Sequence, residues 1–503
     1  MDEEATTEKL LNAVDRMPLA VSLLGQLSQR GNTVAELLER WNHEHSALLQ
    51  THGAGCINNI EVSIEVSITK ICAADESGES LRLLALCSML PDGLRPDVFE
   101  KLRPYFKRID CARDNMIAYA LASLGTDRVL KTLSPIRHLV LERHPASPIY
   151  RDALHSIYFD IAKRLPQTVD RHFEGLAAAA APEMNNLSSL LLALVSQPSQ
   201  QVVDAAIFFT HFAYLQQSTL TVTSALLPHL DPHPDWKARC LLEVSYTQIH
   251  MGDYRAAIES LNTAELLFVE VHHWSCAVLC VMTAASPHRM LGEHDRAEML
   301  LKESQTAYAK LGNEIMEANC RLNLGILMQA KGDYPAAIEH MSAARQTLSS
   351  LGERHGALQC SEFLGTVYLD QGNLESAGAE LEVSRAGFIN LGEPYHIPQS
   401  SLYLASVRRK QGNLALAEQL LGEVAVLYNK RGQQRGLASC EKEFGYLRYN
   451  QGRSDEAITH FNSARRLYEF LNVHNEADEC RTWVEWLKCT VPAVDDPVQL
   501  ALP

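Results

Sequence analysis

No stretch of the 503-residue chain approaches the ~20 consecutive apolar residues that a membrane-spanning helix needs. Basic residues are scarce, with 45 Lys and Arg against 61 Asp and Glu and a formal net charge of -16. That balance argues against a general nucleic-acid or anionic-membrane surface, since both need a Lys and Arg excess. The first ten residues, MDEEATTEKL, lack the basic-then-apolar order of a signal peptide. No G-x-x-x-x-G-K-[ST] loop is present to cradle phosphates with backbone N–H groups. Equally missing are a G-x-S-x-G nucleophile elbow, a glycine-rich dinucleotide loop followed by an acid, and a Cys-x-x-Cys pair. His43 and His45 stand at i and i+2, which do not share a helix face, so they cannot hold one metal as an i, i+4 pair does. No catalytic residue, cofactor or metal is therefore expected, and the chain reads as non-enzymatic.

What is present is regular. Gly252-Asp253 returns as Gly292-Glu293, Gly332-Asp333, Gly372-Asn373, Gly412-Asn413 and Gly452-Arg453, a step of 40 residues without drift. Five residues after each glycine stands an alanine: Ala257, Ala297, Ala337, Ala377, Ala417 and Ala457. A fixed period of this length marks a solenoid, whose helical pairs cannot bury their own apolar faces and must stack. Six of the 12 cysteines keep the same step, at Cys240, Cys280, Cys320, Cys360, Cys440 and Cys480, with Ser400 in the missing place. A metal ladder or disulfide chain is one reading. A slot that wants a small, buried, slightly apolar side chain is the other, and free cysteine fills it well. Reduced thiols point to the cytoplasm.

Within the third copy, Leu322, Leu324, Leu327 and Met328 form an apolar stripe at helical spacing. Gly325 sits among them, and its place reads Ser245, Ala285, Gly325, Gly365, Ala405 and Gly445 along the chain, as two closely crossing helices require. A second small slot runs through Ala264, Ser304, Ala344, Ser384, Val424 and Ala464. Gly332 should end the first helix, Asp333 should cap the second, and Pro335 suits its first turn.

The small residue at Gly325, the alanine at Ala337 and the alanine at Ala344 resemble the tetratricopeptide repeat (TPR). The 40-residue length is similar to the long-repeat subgroup typified by kinesin light chain. The resemblance implies an all-α TPR α-solenoid of six helical hairpins over 233–489, completed by a closing helix. It also implies a concave groove lined by first helices. Carried over copy by copy, the groove would include Arg239, Tyr246, Arg289, Asn319, Asn323, Gln359, Glu362, Arg409, Lys442, Tyr446 and Asn450. Several are cations or amides able to grip a peptide carboxylate or backbone. The competing reading is an ordinary solvated face.

Ahead of the array the period disappears. Helical patterns cover about Thr7–Leu24 and Val34–Leu49, and Met17-Pro18-Leu19-Ala20 resembles a nucleotide-domain motif of NB-ARC ATPases. Further helices are expected near 61–74, 78–90 and 113–124. An extended pair, Arg128-Val129-Leu130 with Lys131-Thr132-Leu133, should follow, and then a helix from Ser134. Helices closed by a small hairpin suggest a winged helix. Ile136-Arg137-His138-Leu139-Val140 falls where the NB-ARC family carries its Met-His-Asp sensor, with Arg137 or His138 in the histidine place. Glu183-Met184-Asn185-Asn186-Leu187 resembles the signature where such ATPases pass into their repeats. Arg164 to Glu183, with its alanine run, reads as a linker.

Residues 5–230 thus resemble the C-terminal half of an NB-ARC module of the STAND signal-transduction ATPases, as a fragment or relic without its P-loop half would. The expected order is a helical segment (1–50), a winged-helix-like domain (51–148), a helical linker (149–232), the array and a tail (490–503). The leading function is a scaffold or sensor in signal transduction that binds a protein or peptide segment in the groove. Two alternatives are an ADP- or ATP-binding STAND-type regulator, with Pro18, Arg137 and His138 as remnant nucleotide contacts, and a winged-helix transcriptional regulator. Without a P-loop the sequence argues against nucleotide as a partner, as the acidic charge argues against nucleic acid.

Overall fold

The computed structural model describes residues 3–13, 21, 24, 28, 33–44, 60–166, 173–216, 220–392, 396–430, 433–471 and 473–490. The chain divides into two compact units, Met1–Leu165 with Ala177–Phe209, and Pro166–Leu176 with Thr210–Pro503.

In the first unit, α1 (Glu3–Ala13) packs on α2 (Val34–Glu44). A helical core follows, made of α3 (Ile60–Ala74), α4 (Glu79–Ser88), α5 (Pro96–Leu102), α6 (Ile109–Ala118) and α7 (Ser134–Arg143). Ile71, Leu83, Leu84, Leu86, Met116, Leu139 and Val140 fill it and are fully buried. The small sheet differs from the expected pair. β1 (Ser123–Leu124) runs antiparallel to β2 (Leu130–Lys131), and Leu130 also bridges Leu94. Two adjacent triplets leave no residues for a turn, whereas Gly125–Arg128 supply one: Arg128 N–H donates to Gly125 O at 2.9 Å, with Arg128 at φ 59°. For the same reason the helix expected to reach 124 stops at Ala118, where Ala120 takes φ 57° and reverses the chain.

Next come α8 (Pro148–Lys163), α9 (Phe173–Ala180), α10 (Met184–Leu194), α11 (Gln200–Gln216) and α12 (Thr221–Leu226). The alanine run read as linker is helix α9, in keeping with alanine being the strongest helix former. Glu183 and Asn186, both buried, form a clamp within the first unit. Glu183 Oε2 accepts from Tyr158 Oη at 2.7 Å and from Asn186 Nδ2 at 2.9 Å. Asn186 Nδ2 also donates to Gly93 O at 3.0 Å, and its Oδ1 accepts from Asp92 N at 2.9 Å.

The array is an all-α TPR solenoid. Six hairpins follow one another: α13 (Pro234–Met251) with α14 (Tyr254–Glu270), α15 (Trp274–Met290) with α16 (His294–Lys310), and α17 (Glu314–Ala330) with α18 (Tyr334–Ser350). They continue as α19 (Arg354–Asp370) with α20 (Leu374–Leu391), α21 (His396–Lys410) with α22 (Leu414–Lys430), and α23 (Gln434–Asn450) with α24 (Ser454–Phe470). The closing helix α25 spans His474–Thr490. Each helix packs on the next.

The repeat chemistry acts as its spacing implies. Gly332 ends α17 at φ 79°, a left-handed conformation without steric cost for glycine. Asp333 Oδ1 accepts from Ala336 N at 3.2 Å and caps α18, whose first turn holds Pro335. The alanines five residues after each glycine are 0% exposed in all six copies. Ala264, Ser304, Ala344, Ser384, Val424 and Ala464 are buried as well. All six cysteines of the 40-residue ladder are buried, and none is in a disulfide. Burial pushes Cys280, Cys320, Cys360, Cys440 and Cys480 up to about 12. Among the described residues no helix is long and apolar enough to cross a membrane.

Candidate binding groove

A 40-residue period puts the same face of every first helix in the same place. In α17 that face is Asn319, Leu322, Asn323, Ile326, Gln329 and Ala330, spaced as one side of a helix. The equivalent six of α21 are Gln399, Leu402, Tyr403, Ser406, Arg409 and Lys410. Those of α23 are Ser439, Lys442, Glu443, Tyr446, Tyr449 and Asn450. All twelve line one cavity of about 1770 Å³ in the second unit. Glu362, Leu369 and Asp370 of α19 and Glu479 and Trp483 of α25 extend the wall, and His250 and Met251 of the first hairpin also face it.

Of the eleven expected groove residues, Glu362, Arg409, Lys442, Tyr446 and Asn450 are on this wall. Arg239, Tyr246, Arg289, Asn319, Asn323 and Gln359 occupy the same helical face of α13, α15, α17 and α19 but do not line the cavity. Asn323 Nδ2 donates to its own helix, at Asn319 O across 2.9 Å. Tyr403, Ser439, Glu443, Tyr449, Glu479 and Trp483 were missed, although each stands in a slot that other copies had nominated. Carrying all six slots through α21 to α25 would have found them.

The polar wall is largely paired with itself. Arg409 Nε meets Glu443 Oε2 at 3.1 Å, while its guanidinium lies 5.0 Å from the centre of the Tyr446 ring. Lys442 Nζ meets Glu479 Oε2 at 2.9 Å, and Tyr446 Oη donates to the same carboxylate. Burial works against the Glu479 charge, but Tyr446 and Lys442 outweigh it and hold its carboxyl below the usual range. Arg435 approaches Glu476 at 3.9 Å. Aromatic faces fill the far end: Trp483 stacks on Phe461 with centroids 5.6 Å apart and meets Tyr446 edge-on at 5.3 Å. Such a wall is rigid, amphipathic and suited to gripping a guest by its side chains.

Of the residues expected to form a remnant nucleotide site, Arg137 and His138 lie within the described residues. Arg137 Nη1 donates to Pro91 O at 3.3 Å, and the His138 ring lies edge-on to Trp41 at 6.0 Å. Pro18 lies outside the described residues. Among the described residues no cluster of His, Cys, Asp or Glu could hold a metal ion.

No protein-family model matches the chain, and no curated protein matches it. Solved structures do. The chain is similar to a Rap protein complexed with competence and sporulation factor, at 14% identity and TM-score 0.40, over 78% of this chain and 97% of that one. It is similar to a STAND protein with a tetratricopeptide repeat sensor from Pyrococcus horikoshii, at 12% identity and TM-score 0.46, over 98% and 73% of the two chains. A Podosopora anserina putative kinesin light chain matches at 19% identity and TM-score 0.32, over 38% and 94%. Likeness at this level does not carry function from those proteins to this one.

Proposed function

We propose that this protein is a non-enzymatic binding scaffold that takes a protein or peptide segment in the groove of its TPR array. The cavity of about 1770 Å³ carries the reading. It exceeds the roughly 300–1,000 Å³ of a small-molecule pocket, and its wall is a periodic helical face and not a convergent catalytic cluster. Concave solenoid surfaces bind extended partners in this way. A cytoplasmic setting and a role in signal transduction belong to the same reading, supported by the buried cysteines, none in a disulfide, and by the STAND resemblance.

Selection of a displayed random-peptide library tests it, with wild type beside Asn450→Trp, an exposed lining position, and beside the triple variant Arg409→Glu, Lys442→Glu, Tyr446→Ala. Sequences enriched by wild type and lost by folded variants support the groove. Identical enrichment in all three overturns it.

A second reading concerns the first unit. The β1–β2 hairpin, packed on α6 and bridged to Leu94, favours a winged-helix module, and the sequence resemblance favours an NB-ARC origin. On that reading Pro18, Arg137 and His138 would touch ADP, and titration calorimetry with ADP separates it from the scaffold reading, which expects no heat.

A further inference from the structure

Two of the array's departures from its own pattern touch each other. The slot of Leu242, Met282, Leu322 and Leu402 holds Glu362 in the fourth repeat. The slot of the six periodic cysteines holds Ser400 in the fifth. Ser400 Oγ donates to Glu362 Oε2 across 2.5 Å, and Ser384 Oγ stands 3.2 Å from Ser400 Oγ. Glu362 is 5% exposed, and both serines are 0% exposed.

A thiol is a weak donor and a hydroxyl a good one, so serine in this slot anchors the Glu362 carboxylate better than cysteine would. The carboxylate itself is costly there. Burying a charge without a counter-ion is unfavourable, and four other copies fill the same place with leucine or methionine. Packing of the array therefore does not require an acid at 362. Lys442 also breaks the slot, but it has Glu479 at 2.9 Å.

Glu362 is alone among the acids of the cavity. Glu443 faces Arg409, Glu479 faces Lys442, Glu476 faces Arg435, and Asp370 Oδ2 accepts from Gln329 Nε2 at 2.7 Å. Glu362 has only the neutral Ser400 hydroxyl among the described residues, and it lines the cavity beside Tyr403. A buried acid with one oxygen anchored by serine and aromatic rings on the same wall suits a cationic guest.

We infer that Glu362 anchors a basic side chain, a lysine ammonium or an arginine guanidinium, of the peptide segment held in the groove. The inference rests on the groove reading. Ser400 acts through Glu362 as its positioning residue. Burial holds the Glu362 carboxyl up at about 7, so an arriving cation draws off a proton near neutrality and affinity rises with pH from 6 to 8. The groups facing Glu362 across that interval are Ser400 and Tyr403, both neutral there, and burial brings the cavity's His396 down to about 4.

Fluorescein-labelled, N-acetylated hexapeptide pools with one fixed residue (Arg, Lys, norleucine or Glu) provide the probe. A fixed-norleucine pool with a free amino terminus is added. Anisotropy is read for wild type, Glu362→Gln and Ser400→Cys at pH 6 and 8. In wild type the Arg and Lys pools should bind at least ten-fold tighter than acetylated norleucine, more so at pH 8. Glu362→Gln should abolish the preference and its pH dependence, and Ser400→Cys should weaken both. Glu362→Leu restores the usual slot residue, so it should fold and bind the basic and norleucine pools alike. Binding without a basic preference, or a preference that survives Glu362→Gln, overturns this inference and leaves the groove reading intact. Preference for the free amino terminus over a basic side chain overturns it too. Failure of every pool to bind overturns the groove reading and this inference together.

Discussion

Gly325 and Met341 are so close that a β-carbon on the glycine would stand 2.6 Å from Met341 Cγ and 3.1 Å from the Ala337 carbonyl oxygen. The crossing of α17 and α18 is set by that approach. Gly365 against Leu381 and Gly445 against Phe461 repeat it at 2.6 and 2.7 Å.

Gly325→Ala should therefore lower stability by up to about 2 kcal/mol, the overpacking of ~1–3 kcal/mol less the ~1 kcal/mol gain in helix propensity. Gly422 supplies the control of opposite sign. It is a helical glycine in α22 with nothing within 4 Å of its missing β-carbon. Gly422→Ala should raise stability by ~0.5–1 kcal/mol. Urea midpoints of the two variants moving in the same direction would contradict this account of the small slot.

The periodic cysteines should resist alkylation. Cys320, Cys360 and Cys440 are buried, and burial pushes each thiol up to about 12. Cys72 and Cys489 are exposed. At pH 8 iodoacetamide should label those two on the order of 100-fold faster than the ladder, because the thiolate is the nucleophile and access limits it further. Peptide mass spectrometry over time reads the order. Early labelling of Cys320 would mean that the repeat opens far more readily than its packing implies.

The array was legible because its signal recurs. Gly332, Asp333 and Ala337 each carry a weak local preference, but six copies in register turn it into a fixed helix boundary, cap and packed face. The β1–β2 hairpin had no such support. Its two-residue strands are too short for a period to show, and only the positive φ at Ala120 and Arg128 fixes where the chain turns. The groove was half legible. Slots named its face, but only the tertiary packing decides which copies enclose the cavity. Glu362 was named for that face, while its tie to Ser400 needed coordinates, since the two are 38 residues apart.

Besides lining the groove, Trp483 on the closing helix should stabilise the last hairpin and not the distant repeats. It stacks on Phe461 and meets Tyr446, Tyr449 and Trp486 edge-on at 5.3 to 5.5 Å. Trp483→Ala should cost about 3 kcal/mol locally. Because each repeat is coupled to its neighbours, hydrogen exchange should quicken in α23 to α25 and stay unchanged in α14 to α16. Uniform loss of protection along the array would show a single cooperative unit instead.

Glu362 should make the protein less stable as pH rises. Its carboxyl has an ordinary value of 4.5 when exposed in the unfolded chain, and burial lifts it to about 7 in the fold. Below pH 4.5 both states are protonated and the residue costs nothing through its charge. Between 4.5 and 7 the folded chain binds the extra proton, so stability falls with increasing pH and levels off above 7. At 1.36 kcal/mol per pKa unit the loss approaches about 3 kcal/mol. Glu362→Gln removes the titration while keeping the shape. The difference in unfolding free energy between that variant and wild type should therefore grow in the variant's favour from pH 4.5 to pH 8, with all other titrations cancelling. The same substitution is expected to lose the preference for basic peptides, so stability and binding would move in opposite directions at one residue. A pH-independent difference would mean that Glu362 is ionised in the fold throughout that range, already held by a charge within the chain.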